Sequence, residues 1–143
     1  MSASREFLDI PDHAVEAAFA AFWEGTRRRE FLIQRCSLCG RAQHYPRALC
    51  THCGATDGLS MVPASGKGHV YSFTEVQRAP HPDLAAPYTI ALVALEEGPQ
   101  VLSRVVGAPA REVSCDAPVT LDWVGLDDGR ALAVFRLAAP ASS

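Results

Sequence analysis

Four of the five cysteines of this chain fall in one stretch of twenty residues, RCSLCGRAQHYPRALCTHCG, at positions 35–54. They form two CxxCG units with ten residues between Cys39 and Cys50. No other feature limits the possible folds as strongly. In CxxC the two intervening residues make a tight turn, so both thiolates can reach one ion. The glycine that follows, Gly40 or Gly54, permits positive φ and lets backbone amides turn back toward the sulfurs. Two such knuckles offer Cys36, Cys39, Cys50 and Cys53 as a tetrahedral set. Softness and geometry favour Zn2+, with iron as the other candidate. Four protein ligands leave no position for water, so the expected site is structural. A segment this short cannot build a core of its own, and the ion stands in for one.

Other uses of these cysteines fit less well. A thioredoxin-like redox pair needs a βαβ context, and none surrounds either CxxC. The opening residues show no basic stretch followed by an apolar block, so no secretory signal is read. The reducing cytoplasm is then the expected location, where paired cysteines read as metal ligands or redox thiols before disulfides. His44 and His52 lie inside the segment, but with four thiols available both are expected to be exposed ribbon residues. Cys115 stands alone and is expected to be a small buried apolar residue.

Around this segment the chain divides into stretches of different character. Residues 1–30 read as an N-terminal helical segment. Val15, Ala18, Phe19, Phe22 and Trp23 recur with helical period, Asp9 and Asp12 are placed to cap the start, Pro11 suits the first turn and Gly25 the end. Residues 31–58 form the ribbon, entered by a strand over 31–36. Residues 59–138 read as all β, with strands expected at 60–64, 68–77, 88–96, 100–106, 118–125 and 130–137. Val119, Leu121 and Trp123 alternate against Thr120, Asp122 and Val124. Turn chemistry breaks the runs at Ser65-Gly66-Lys67-Gly68, Glu97-Gly98-Pro99 and Asp127-Asp128-Gly129. Five or six short strands in so few residues suit a closed OB-type barrel, with an open sandwich as the second choice. Residues 139–143 read as a frayed tail. The fold class is therefore mainly β: a helix, a zinc ribbon and an OB-fold.

Composition narrows the function. The 143 residues are 48% hydrophobic and 20% charged, with a formal net charge of -3. A protein that neutralises nucleic-acid phosphates carries a basic surplus, which this chain lacks. Tyr71, Phe73 and Tyr88 would stack bases on an OB face, but alternating strand aromatics more often pack a core. No apolar run approaches the roughly 20 residues that span a bilayer. Arg27, Arg28 and Arg29 form either a clamp for phosphate groups or a solvated helix end. Arg47, behind Pro46, is placed to contact a ligand or partner, or to bond the ribbon's own carbonyls. His81, in a proline-rich loop, has no carboxylate or nucleophile pattern beside it. No P-loop, GxSxG elbow or HExxH motif is present.

Several of these motifs occur together in one known family. Pro46-Arg47 lies between the knuckles. It is followed by Ser65-Gly66-x-Gly68-x-Val70-Tyr71-Ser72-Phe73-Thr74 and by Pro87-Tyr88. The chain from about Phe19 to Phe135 resembles the acyl-CoA-associated zinc-ribbon/OB-fold family known as domain of unknown function 35. It departs from many relatives in having Tyr45 before Pro46, and Thr51-His52 inside the second knuckle; neither change removes a proposed ligand. The resemblance implies a rubredoxin-like ribbon joined to an OB-fold and a role as partner to thiolase-like enzymes. Those partners are acetoacetyl-CoA thiolases (ketothiolases) or the aldolases that remove steroid side chains as CoA thioesters. It implies that the partner holds the catalytic residues, while the ribbon/OB subunit supports assembly and the acyl-CoA path. Some relatives are fused to a hydratase-type domain; this chain is expected to act as a separate subunit of a hetero-oligomer. Two other readings stand beside it: a single-stranded nucleic-acid-binding OB module and a rubredoxin-like electron carrier.

Overall fold

A computed structural model describes residues 19–138. Helix α1 covers Ala20–Arg27. Eight strands follow: β1 Leu32–Cys36, β2 Ala42–Gln43, β3 Leu59–Pro63, β4 Lys67–Val76, β5 Tyr88–Leu95, β6 Gln100–Val105, β7 Pro118–Gly125 and β8 Ala131–Leu137. A 3-10 turn at Ala110–Glu112 lies between β6 and β7. The strands build a three-stranded antiparallel sheet in the order β2-β1-β3 and a closed barrel in the order β4-β5-β6-β8-β7. The barrel closes where Lys67, Gly68 and His69 pair with Thr120, Val119 and Pro118. Its parallel contact is β6 with β8, at Val105 and Phe135. This is a closed OB-type barrel, the class expected from the number of short strands, and closure removes the barrel's free edges.

The alternation in the sequence decides which side chains enter the barrel. Thr89, Ala91, Val93 and Leu95 of β5 are buried, while the residues between them are half-buried on the outer face. Ala91, Val93 and Leu95 join Val70, Val101, Val105, Val119 and Phe135 in one core, which extends to Phe22, Phe31 and Ile33 under the helix and ribbon. Tyr71 breaks the pattern. The register shifts between Val70 and Ser72, so Tyr71 is the extra residue of a bulge and is 58% exposed, while Phe73 packs on the core. A bulge re-aims one side chain without ending the strand.

Three expectations are corrected. The strand at 59–63 does not join the barrel. It pairs along the whole of β1, from Leu32 with Pro63 to Cys36 with Leu59. A five-stranded barrel already closes without it, and β1 needs a second neighbour. Gly25 does not end the helix, which runs on to Arg27. A Cβ at Gly25 would lie 2.8 Å from Leu32 Cδ1, so the glycine is required where α1 presses on β1. Beyond the helix the chain turns away at Arg29, in the left-handed region with φ 59, and the Arg28 and Glu30 amides both bond the Gly25 carbonyl. Cys115 is exposed, not buried. It lies beyond the 3-10 turn and beside Asp116, which has φ 67 and whose amide bonds Val70 O. The expected caps Asp9, Pro11 and Asp12, with Val15 and Ala18, lie outside the described residues.

Candidate metal centre

The two knuckles have the same backbone. In the first, the Cys36 amide bonds Arg41 O and the Gly40 amide bonds Cys36 O. In the second, the Cys50 amide bonds Ala55 O and the Gly54 amide bonds Cys50 O. Gly40 and Gly54 have φ 78 and 77, the conformation that lets each chain segment fold back on its own cysteine. Cys36 closes β1, and the second knuckle comes to it across the sheet. The first cysteine of each pair is buried and the second exposed.

All four Sγ atoms lie within 4.8 Å of one another. Cys36 and Cys53 are 3.7 Å apart, as are Cys39 and Cys50. A tetrahedral ion with bonds of about 2.3 Å to sulfur has ligand–ligand edges of about 3.8 Å. The spacing is therefore that of a ligand shell, and all four cysteines are free of disulfides. Electrostatics agree. The Cys50 thiol is drawn down to about 6, chiefly by the Cys53 and His52 amides. On Cys53 the Ala55 amide pulls the same way, but burial and the sulfurs of Cys50, Cys36 and Cys39 outweigh it and push the thiol up to about 11. Four sulfurs this close cannot all ionise unless a cation sits among them. The donor set thus fits a structural metal ion, and an all-sulfur tetrahedral site suits zinc. Such an ion supplies a cross-link between knuckles and leaves no open position for a reacting molecule.

The histidines stand apart from this set. His52 Nδ1 lies 3.1 Å from Arg41 Nη1. His44, expected to be exposed, is instead half-buried among the rings of Phe22, Phe31 and Tyr45. Its imidazole is pushed down to about 4 by desolvation.

The arginines have varied surroundings. Arg27 Nη1 donates to Asp128 O at 2.5 Å and its Nε faces Glu24 at 3.2 Å. Arg29 Nη1 donates to Thr26 O at 2.8 Å and Gly129 O at 3.3 Å. Both therefore reach the β7–β8 turn. Arg28 reaches Glu30 at 3.4 Å. The three do not converge on one point, because Arg28 turns to Glu30 and the Glu24 carbonyl instead. Arg47 is exposed, and its backbone rather than its side chain is held by the ribbon: Gln34 Oε1 accepts its N–H at 2.8 Å. Among aromatics, Tyr88 lies under the Arg104 guanidinium at 4.4 Å, away from the ribbon. A groove of about 540 Å³ separates the ribbon from the β5–β6 turn, with Arg41, His44 and His52 on one wall and Glu97 and Pro99 on the other.

Two ribbon residues escaped the sequence reading. Gln34 and Gln43 face each other across the β1–β2 ladder, and Gln43 is buried although polar. The signal was a pair of glutamines flanking the first knuckle. It could not be weighed without β2, a strand of only two residues.

A closed four-sulfur centre on a three-stranded sheet, joined to a five-stranded barrel, defines a zinc-ribbon/OB-fold protein. Residues 23–57 match the family described as ChsH2, rubredoxin-like zinc ribbon domain, and residues 61–124 match ChsH2, C-terminal OB-fold domain. The solved structure titled Ltp2-ChsH2(DUF35) aldolase superimposes with a TM-score of 0.79 at 37% identity, covering 88% of this chain and 98% of that one. The chain belongs to the DUF35 family of zinc-ribbon/OB-fold proteins. It is 40% identical to a probable enoyl-CoA hydratase alpha subunit of Thermomonospora curvata, over 84% of this chain but only 38% of that protein. It is 34% identical to the benzoylsuccinyl-CoA thiolase subunit BbsA of Geobacter metallireducens, over 61% of this chain and 57% of that protein. The chain thus spans well under half the length of the hydratase subunit it matches.

Proposed function

We propose that this chain is a noncatalytic accessory subunit of a thiolase-like enzyme acting on an acyl-CoA, with Cys36, Cys39, Cys50 and Cys53 holding a structural zinc. The observation that carries the reading is the likeness, over nearly the whole of that chain, to the DUF35 component of an aldolase. The relative named as a benzoylsuccinyl-CoA thiolase subunit supports the same class of partner. The metal centre supports it from the chemical side: a saturated sulfur shell braces the ribbon and offers no reacting position. Among the finer alternatives, carbon–carbon cleavage of a CoA thioester, as in steroid side-chain removal, is favoured over ketothiolase chemistry, because the aldolase is matched over more of its length. The groove between ribbon and β5–β6 turn is a candidate stretch of the acyl-CoA path. Arg47, exposed on the inter-knuckle loop, is a better candidate for a phosphate or partner contact than Arg27 and Arg29, which already bond the β7–β8 turn.

Co-expression with a thiolase-fold enzyme from the same source tests the proposal. A complex that co-elutes on size exclusion and cleaves or forms the acyl-CoA bond, with neither activity in this chain alone, is the expected result. Turnover of a thioester by the isolated chain, or failure to form any complex with such enzymes, overturns it.

A further inference from the structure

Residues 44–49, between the knuckles, contain neither helix nor strand, yet they determine where Cys50 begins. Two side-chain amides hold them. Gln43 is 7% exposed. Its Nε2 donates to Gln34 Oε1 at 2.8 Å and to Leu49 O at 3.1 Å. Its Oε1 accepts the Thr51 amide at 2.9 Å and the Thr51 hydroxyl at 3.0 Å. Gln34 completes the relay: besides accepting from Gln43 and from the Arg47 amide at 2.8 Å, it donates to Arg47 O at 2.9 Å. The chain is thus pinned at Arg47, Leu49 and Thr51, on both sides of Cys50. The pins originate in β1 and β2, and β1 ends in Cys36. None of these bonds involves a sulfur atom. A buried amide with every position paired does for an irregular loop what a ladder does for a strand.

We propose that Gln34 and Gln43 are positioning residues for the metal site: their amide relay sets the second knuckle beside the first before an ion binds. The proposal rests on the reading of the four cysteines as ligands. An ion that had to order this loop itself would lose the ordering entropy from its binding free energy. The relay moves that loss into folding.

The test uses the full chain, with zinc release to a chromogenic chelator and, in metal-stripped protein, peptide-mapped alkylation by iodoacetamide and amide exchange. In Gln43→Met and Gln34→Met, zinc release should quicken about 10-fold, the usual scale for groups that orient ligands. Cys50 and Cys53 should alkylate faster than in the wild type while Cys36 and Cys39 keep their rates. Thr51→Val, an exposed site that loses one hydroxyl bond, should speed release by about 2-fold without threatening the fold. In the metal-stripped wild type the Thr51 amide should stay protected. Unchanged release in all three variants, an unprotected Thr51 amide, or equal acceleration at all four cysteines, the mark of general ribbon destabilisation, overturns the relay. If a glutamine variant does not fold, Thr51→Val and the wild-type Thr51 amide decide. Cys50→Ser separates the two claims. Retention of zinc at wild-type affinity there sinks the ligand reading; loss of zinc there, with unaltered glutamine and threonine variants, sinks the relay alone.

Discussion

His44 and the four cysteines show opposite responses to burial. The cysteines lie close enough that a cation resolves their mutual repulsion, so replacing any one leaves an incomplete shell. Cys36→Ser is expected to reduce bound zinc to well below stoichiometric, measured by elemental analysis of the purified protein. His44 packs against the rings of Phe22, Phe31 and Tyr45 at the wall of the groove and is held neutral by desolvation, its imidazole at about 4 against an ordinary 6.5. The unfolded chain therefore binds a proton that the folded one refuses between these values. The corresponding stability is complete above pH 6.5 and is lost as pH falls toward 4. Each unit of difference corresponds to about 1.4 kcal/mol, an upper limit for a side chain that is not fully enclosed. Urea unfolding of wild type and His44→Phe at pH 7, 6 and 5 should show a steeper fall in the wild type; parallel curves would refute the assignment.

At the scale of elements, the helix is fastened to the barrel by Thr26 rather than by its apolar stripe alone. Thr26 is fully buried. Its hydroxyl donates to Trp23 O at 2.6 Å and accepts the Ala131 amide at 3.2 Å, which ties α1 to the first residue of β8. Arg27 and Arg29 add bonds to the adjacent turn, and the Arg130 guanidinium lies 5.3 Å from the Trp23 ring centroid. Thr26→Val keeps the shape but strands the buried Ala131 N–H, and should cost about 1–3 kcal/mol in denaturant unfolding. Gly25→Ala should cost about 1–3 kcal/mol in the same assay, because its methyl would overlap Leu32 and force α1 away from β1.

The whole molecule joins two bodies stabilised by different physics. The barrel has a continuous apolar core, whereas the ribbon relies on its ion and on contacts through Phe22, Phe31 and Ile33. Strong chelation should therefore raise amide exchange in the knuckle turns, at 37–41 and 53–58, while the Thr51 amide held by Gln43 and the strands β4 to β8 keep their protection; simultaneous loss in ribbon and barrel would show a single cooperative unit. Between β4 and β8 all the expected strands appear, because alternation and glycine turns are local signals and the barrel satisfies every one of them. The strand expected at 60–64 was legible as a strand but not as to its partner, since pairing with β1 joins segments far apart in the chain and leaves no local signal.

The sequence by itself determined the four-cysteine donor set, the run of barrel strands and the family, because ligand spacing, residue period and turn residues all act within a few positions along the chain. Tertiary structure alone decided what lies between distant segments. It turned Tyr71 and Cys115 outward, directed Arg27 and Arg29 to the β7–β8 turn, buried His44 among rings, and brought Gln34 and Gln43 together beneath the second knuckle. Those outcomes depend on which surfaces meet and which polar groups lose water, and neither quantity is defined until the chain has closed on itself.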